Sequence, residues 1–235
     1  MHAMRAMILA AGRGERMRPL TDHCPKPLLP AAGKPLIVYH LERLAAAGFR
    51  KVVINHAHLG EQLVAALGEG SLWGLSISWS PEPLGALETA GGIRQALTHL
   101  DDGADTPFLV INGDIYCDWP IQPVTLARDD LAHLVLVDNP LQHPAGDFVL
   151  TGDRVSDKSN ATPESTLTFA GIGFYRPSLF ADLVVGEPAK LAPLLRAAMA
   201  QRRVSGEHHQ GRWEDVGTPE RLALLDAELR THAAR

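Results

Sequence analysis

The sequence predicts an α/β fold: a single domain on a mostly parallel, mixed sheet with helices on both faces. Three observations lead there. Apolar runs of strand length alternate with amphipathic stretches of helix length through the first half of the chain. The first such run, residues 6–10, breaks straight into Gly12-Arg13-Gly14, and a later one, residues 108–111, breaks into Asn112-Gly113-Asp114. The chain has 235 residues and is 46% hydrophobic, which suffices for one sizeable core and leaves little for a second. A β-α-β-α order favours parallel strands joined by crossover helices. Ligands of such sheets lie beyond the carboxyl ends of the strands, where both glycine turns fall.

Residues 6–10 form a short apolar run that ends at glycine, as a buried strand does. Residues 35–47 read as a helix. Pro35 stands near its first turn, Leu36, Tyr39, Leu44 and Ala47 share a face, and Gly48 ends it. Val52-Val53-Ile54 makes residues 51–55 a second strand, and residues 60–67 form a short helix. Residues 75–79 alternate apolar side chains with serine and read as a half-exposed strand. Ile93, Ala96, Leu97 and Leu100 recur at helical spacing within residues 89–100, with Thr89 placed to cap.

The second half is less regular. Residues 132–137 are a strand, and residues 147–150 and 154–156 flank Thr151-Gly152-Asp153 as a hairpin. Residues 167–175 make a glycine-interrupted strand. Residues 190–200 are a helix with Leu191, Leu194, Leu195 and Met199 on one side. Residues 202–209 and 211–215 are placed to pair with each other. Thr218 is positioned as the N-cap of a last helix whose first residue is Pro219.

Bulk properties exclude several classes. The 22 basic residues form no run or stripe and the net charge is −5, which speaks against a nucleic-acid surface. No stretch reaches the length of a membrane span and the N-terminus lacks a signal-peptide pattern, so a cytoplasmic protein is expected, as a monomer or small homo-oligomer. Cys24 and Cys117 make no disulfide framework. Their places beside the Lys26 loop and just after Asp114 leave room for a depressed thiol pKa, although a free cytosolic thiol is the plainer reading. His56 and His58 follow a strand, but no third ligand at zinc spacing accompanies them, so they read as structural or peripheral.

The glycine turn after the first strand suits an anion. Backbone amides there point together, glycine admits a phosphate without a Cβ in its way, and Arg16 and Lys26 add full charge. The run lacks Gly-Lys-Ser/Thr and the spacing of the dinucleotide fingerprint, so it is neither of those phosphate loops. Taken alone, Gly12-Arg13-Gly14 also fits an ordinary turn with solvated arginines. Asp114 and Asp215 each end a strand at a glycine-containing turn. Two carboxylates, waters and substrate phosphates are what Mg²⁺ prefers, although each aspartate alone is equally a turn or strand-end residue.

The run from Leu9 to Thr21 together with Pro25-Lys26-Pro27-Leu28 and Gly33-Lys34-Pro35-Leu36 resembles the signature of the sugar-1-phosphate nucleotidylyltransferases. Asn112-Gly113-Asp114 and Trp213-Glu214-Asp215-Val216-Gly217-Thr218-Pro219 extend the resemblance over nearly the whole chain. It implies one Rossmann-like three-layer domain of the nucleotide-diphospho-sugar transferase type, with a nucleotide half to about residue 118 and a sugar half from about residue 119. It implies an enzyme that joins a sugar 1-phosphate to a nucleoside triphosphate in one in-line displacement and releases pyrophosphate. Asp114 and Asp215 would hold Mg²⁺, and Arg16 and Lys26 would be catalytic. Ala11, Gly12, Gly14, Glu15, Arg16, Lys26, Thr89 and Asn112 would bind nucleotide, and Asp147, Lys158 and Gly171 the sugar phosphate.

Among the branches of the family, the segments 54–57, 80–82, 87–93, 134–140, 166–172 and 190–195 most resemble those acting on N-acetylmuramate α-1-phosphate with UTP, in cell-wall recycling. Guanylyl- and thymidylyltransferases share the first motif, and so remain alternatives. A non-catalytic nucleotide-binding subunit is a further alternative, although such relatives lose one or more of the four charged residues that this chain keeps. Two departures stand out. Glu88 occupies the glycine position of the family's Leu-Gly-Thr-Ala segment, which leaves base choice open, and Asp157-Lys158 stands where Glu-Lys is usual.

Overall fold

A computed structural model of the chain describes residues 4–83, 87–122, 124, 126–158, 162 and 165–233. The chain begins β1 (Arg5–Leu9), β2 (Pro30–Ala31), β3 (Lys34–Pro35), α1 (Leu36–Ala46), β4 (Lys51–His56), α2 (Gly60–Leu67), β5 (Ser76–Pro81). It continues α3 (Glu88–Leu100), β6 (Phe108–Asn112), β7 (Ile115–Cys117), β8 (Ala132–Val137), β9 (Phe148–Thr151), β10 (Arg154–Asp157), β11 (Thr168–Tyr175). The last elements are α4 (Leu191–Ala200), β12 (Val204–His208), β13 (Trp213–Asp215) and α5 (Pro219–Ala233). The architecture is α/β with mixed strand pairing. It resolves into two compact units, one of Met1–Ala86, Ile111–Ile121 and Arg212–Arg235, the other of Leu87–Val110 and Gln122–Gly211.

In the first unit β4 lies between β1 and β5, both parallel to it, with Met7 opposite Val53 and Ile54 opposite Trp79. Ala6, Met7 and Ile8 are fully buried, which is why β1 reads as an unbroken apolar run rather than an alternation. On α1 the buried stripe is Leu36, Ile37, His40, Leu41 and Leu44. Tyr39 and Ala47, expected on that face, lie at its margin and are half-buried. Tyr39 packs against the cluster that contains Leu36, donates its hydroxyl to the Ala31 carbonyl at 2.8 Å and meets Tyr116 edge-on, and Ala47 is the C-cap residue. Met17, Leu29, Ala31 and Leu36 pack with Val216, Leu222 and Leu225, so the C-terminal segment shares a core with the residues flanking the glycine loop.

In the second unit the strand order is β11-β8-β12-β10-β9. β8 and β12 are parallel, whereas β11 pairs antiparallel with β8 and β10 pairs antiparallel with both β12 and β9. Arg154 faces Thr151 across a tight turn at Gly152-Asp153, with Gly152 at φ +61°, as the hairpin reading required. The register of β11 slips between Phe169 and Ile172, and Gly171 in that bulge has φ +75°. One expected pairing is absent: residues 202–209 and 211–215 do not form a hairpin. β12 joins β8 and β10, and β13 joins β7 instead. Long-range pairing partners leave no mark in local sequence, which explains the error.

His40 is a fully buried titratable group. Burial first, and the charge of Arg43 second, lower its pKa from 6.5 to about 4, against an opposing pull from Asp114. A depressed histidine favours the neutral form in the fold, so its contribution is present above pH 6.5 and is lost as the pH falls toward 4. Urea unfolding at pH 7.5 and 4.5 should therefore show His40→Leu losing about 2–3 kcal/mol less stability on acidification than wild type. Equal losses in the two proteins would mean that His40 does not titrate differently on unfolding.

Candidate active site

In the first unit the glycine loop is shaped by its neighbours. Ala10 at the end of β1 donates its N–H to Asn55 Oδ1 at 2.7 Å, and Asn55 Nδ2 donates to Glu82 Oε1 at 2.6 Å, within the interior. Ala11 is buried and Gly12 is exposed, with open space where its Cβ would stand. Gly14 takes φ +68°, and its carbonyl accepts the hydroxyl of the buried Thr21 at 2.9 Å. Arg13 binds the Thr21 carbonyl and the Asp22 carboxylate, each at 2.7 Å, so it serves the fold of the loop itself. Hydrogen bonding from Arg13 and the charge of Arg18 hold the Asp22 carboxyl below its usual range. Glu15 is exposed and makes only loose ion pairs, at 3.9 Å to Arg13 and 3.6 Å to Arg18. His58 Nε2 lies 3.1 Å from the Thr21 carbonyl, and His56 meets Trp79 edge-on.

Lys26 follows Pro25, whose extended backbone turns into a short 3₁₀ segment. Its side chain is only 8% exposed, its stem lies against Gly14, and its Nζ stands 2.7 Å from Asp114 Oδ2. Asp114 arrives from the turn after Asn112, the half-buried last residue of β6. Gly113 donates its N–H to the Leu9 carbonyl at 2.8 Å, and a Cβ at that position would stand 2.7 Å from the same oxygen. Only glycine lets this turn close against β1.

Asp215 is brought alongside by β13, which pairs antiparallel with β7 so that Asp215 faces Ile115. The Val216 N–H donates to the Asp114 carbonyl at 3.0 Å. Two aspartates distant in sequence thus lie one position apart on neighbouring strands. Asp215 Oδ2 accepts from Arg221 Nη1 at 2.8 Å. The Oδ1 of each aspartate has no protein partner among the described residues. This is a pair of hard oxygen donors, each with a free atom, and it fits a magnesium-sized cation that keeps several waters.

At Gly217 the cations converge. A Cβ there would stand 2.5 Å from Arg221 Nη2 and 3.0 Å from Arg16 Nη2. Arg16 is exposed and has no hydrogen bond or ion pair among the described residues. Arg221 was not singled out in the sequence. Its one signal was a basic residue in the first turn of a helix, where the helix dipole disfavours a cation unless an acid answers it. Burial raises the thiol of Cys117 to about 11 and pushes that of Cys24 up as well, so neither is activated and both are free.

In the second unit a turn gathers the residues expected to meet the sugar. Gly146 has φ +54°, and a Cβ on it would stand 2.6 Å from Asn139 Oδ1 and 2.7 Å from Thr166 Oγ1. Asn139 donates to the Thr166 carbonyl at 3.0 Å and accepts from Thr168 Oγ1 at 2.9 Å. The Asp147 carboxylate accepts the Phe169 N–H at 2.9 Å and lies 3.0 Å from His143 Nε2. Lys158 donates to the carbonyls of Ala145 and Gly146, so its ammonium is held at this turn. Asp157 accepts from the Lys158 N–H at 2.9 Å and from Arg196 at 3.2 Å. Gly171 lies in the β11 bulge, two residues beyond Phe169. Thr89 sits in the first turn of α3 but does not cap it. Leu87 is the cap residue, without a side-chain bond, and the Ala90 and Gly91 N–H groups donate to the Ala189 carbonyl instead.

Residues 5–232 match the nucleotidyl transferase family, and the chain belongs to that family of enzymes. It is 54% identical over 229 residues to an N-acetylmuramate α-1-phosphate uridylyltransferase of Neisseria meningitidis serogroup B, covering 95% of this chain and 97% of that protein. A protein of the same name from Caulobacter vibrioides is 36% identical over 237 residues, covering 95% and 96%. A Bacillus anthracis protein described as a glucose-1-phosphate thymidylyltransferase, solved with sucrose, shares the fold at a TM-score of 0.80 and 22% identity, over 97% and 96% of the two chains.

The family's glycine position holds Glu88 in this chain, and the structure shows what that substitution entails. Glu88 has φ +57° and is exposed, so an L-residue occupies the left-handed region at the surface. That conformation costs about 1–2 kcal/mol for a side chain with a Cβ, offset by a few tenths for an acid at a helix start. Glu88→Gly should raise the unfolding free energy by about 1 kcal/mol, read from urea melts. A loss of stability would show that Glu88 makes an interaction outweighing the strain.

Proposed function

We propose that the chain transfers a uridylyl group from UTP to N-acetylmuramate α-1-phosphate, with Mg²⁺, giving UDP-N-acetylmuramate and pyrophosphate. The observation that carries this reading is 54% identity, across nearly the full length of both chains, to the Neisseria uridylyltransferase. The product is a cell-wall precursor, so the reaction fits recycling of cell-wall sugar.

The reaction brings two anions together, and the chemistry follows from that. The sugar phosphate is already ionised at neutral pH, so no protein nucleophile or general base is needed. A phosphate oxygen attacks the α-phosphorus, and the bond to the leaving pyrophosphate breaks in line with it. The protein's work is to position the two anions and to offset their charge. Mg²⁺, held by Asp114 and Asp215, would supply neutralisation of the phosphate oxygens. Lys26, with its stem packed on Gly14 and its ammonium nearly buried, is placed to exchange Asp114 for the α-phosphate. Arg16, exposed and without a partner among the described residues, is placed to take the β- and γ-phosphates and then the leaving pyrophosphate. The amides of residues 11–15 would line the polyphosphate, and Asn112 and Thr89 the nucleotide.

On the acceptor side, Lys158 would offer its remaining N–H to the sugar phosphate. Asp147 keeps lone pairs for sugar hydroxyls beyond the two bonds that orient it. The Gly171 bulge leaves backbone near the sugar without a side chain.

The test is pyrophosphate release from Mg²⁺, UTP and N-acetylmuramate 1-phosphate. Turnover of GTP with mannose 1-phosphate, but not of this pair, would overturn the assignment. Nucleotide binding with no turnover of any sugar phosphate would favour a regulatory subunit. Asp114→Asn and Asp215→Asn should each lower turnover by about 10²–10³ or more while leaving the far-ultraviolet circular dichroism unchanged. A variant with full activity would remove that residue from the metal pair.

A further inference from the structure

Two guanidinium groups converge on Gly217, and among the described residues one of them, Arg221, has an acid and the other has none. The Nη2 atoms of Arg16 and Arg221 both lie within 3.0 Å of the point where a Gly217 Cβ would stand. Arg221 uses Nη1 to hold Asp215, which leaves Nη2 turned toward Gly217, while Arg16 has no partner among the described residues. Glu220, the neighbouring acid on α5, is engaged with Thr218 and its own backbone. Like charges so close repel unless a shared anion stands between them. A polyphosphate tail offers several oxygens at the spacing that two planar forks can grip together.

Asp215 is also one of the two carboxylates suited to the metal, and Arg221 occupies its Oδ2. Oδ1 stays open to a cation, but the guanidinium charge beside the same carboxylate weakens its hold on one.

We propose that Arg221 is a second polyphosphate-binding guanidinium, working with Arg16, and that Asp215 keeps it in place until the phosphates draw it away. Transfer of Arg221 to the phosphates removes that competing charge and strengthens the hold of Asp215 on the metal. Nucleotide therefore prepares the metal pair as it binds, and the two occupants enter as a linked set. This rests on the nucleotidyl-transfer reading of the site but not on the identity of the base or sugar.

The test uses inorganic tripolyphosphate in EDTA and Mn²⁺ alone, both by calorimetry on the full chain. Arg221→Gln should bind tripolyphosphate about 10-fold more weakly or worse, as Arg16→Gln should, because each loses a charge-assisted hydrogen bond. Arg221→Lys should recover part of the loss, and it decides the matter if the glutamine variant fails to fold. Arg221→Gln should also bind Mn²⁺ alone several-fold more tightly than wild type, since Asp215 no longer has an internal cation competing for it. A merely structural arginine would weaken both. Unchanged tripolyphosphate affinity in both Arg221 variants, or Mn²⁺ affinity that stays level or falls, overturns the proposal. Failure of the wild type to bind tripolyphosphate at all would instead overturn the active-site reading on which it stands.

Discussion

A lysine ammonium that is nearly removed from water must have an anion beside it, and Lys26 has Asp114 at 2.7 Å. Much of the first unit is arranged around that pair. The Lys26 stem lies along Gly14, which takes a left-handed conformation held by the Thr21 hydroxyl on its carbonyl. Asp114 reaches it because the Gly113 N–H binds the Leu9 carbonyl at 2.8 Å, joining the turn after β6 to the end of β1. The buried Asn55 amide fixes the next residue, Ala10, and is itself oriented by Glu82. Loop, lysine and aspartate are thus mutually positioned, so the cost of ordering them is met on folding rather than on binding.

The same logic recurs at Asp215, which holds Arg221 as Asp114 holds Lys26. Each acid suited to a metal carries a cation suited to a phosphate. Such a site is close to neutral internally and can exchange partners. On the proposed reading, entering anionic groups would take the cations and leave the carboxylates to a divalent ion. Pairing each charge with an opposite one matters more as water is excluded.

The second unit relies on backbone more than on charge. Gly146 is required by the approach of Asn139 and Thr166, and the carbonyls of residues 145 and 146 receive Lys158. Asp147 is locked by the Phe169 amide next to the β11 bulge. Rigid placement of a few polar atoms suits recognition of a sugar, whose hydroxyls differ in position rather than in charge.

The sequence by itself determined the local elements and the chemical types at the site. Apolar runs marked β1, β4 and β6, the first and last of them leading into glycine turns, and Thr218-Pro219 marked the start of α5. Gly14, Lys26, Asp114 and Asp215 stood out through the motifs that resemble the family, since the glycine turn and each strand-end acid taken alone equally fit an ordinary turn. What the tertiary structure alone decided was partnership. It joined β13 to β7 rather than to β12, assigned Arg13 to the loop's own fold and left Arg16 without a partner among the described residues. It also placed Arg221 beside Gly217. The physical reason is that periodicity and turn chemistry act over a few residues, whereas ion pairs and strand neighbours are settled by through-space distance, which the order of residues does not encode directly.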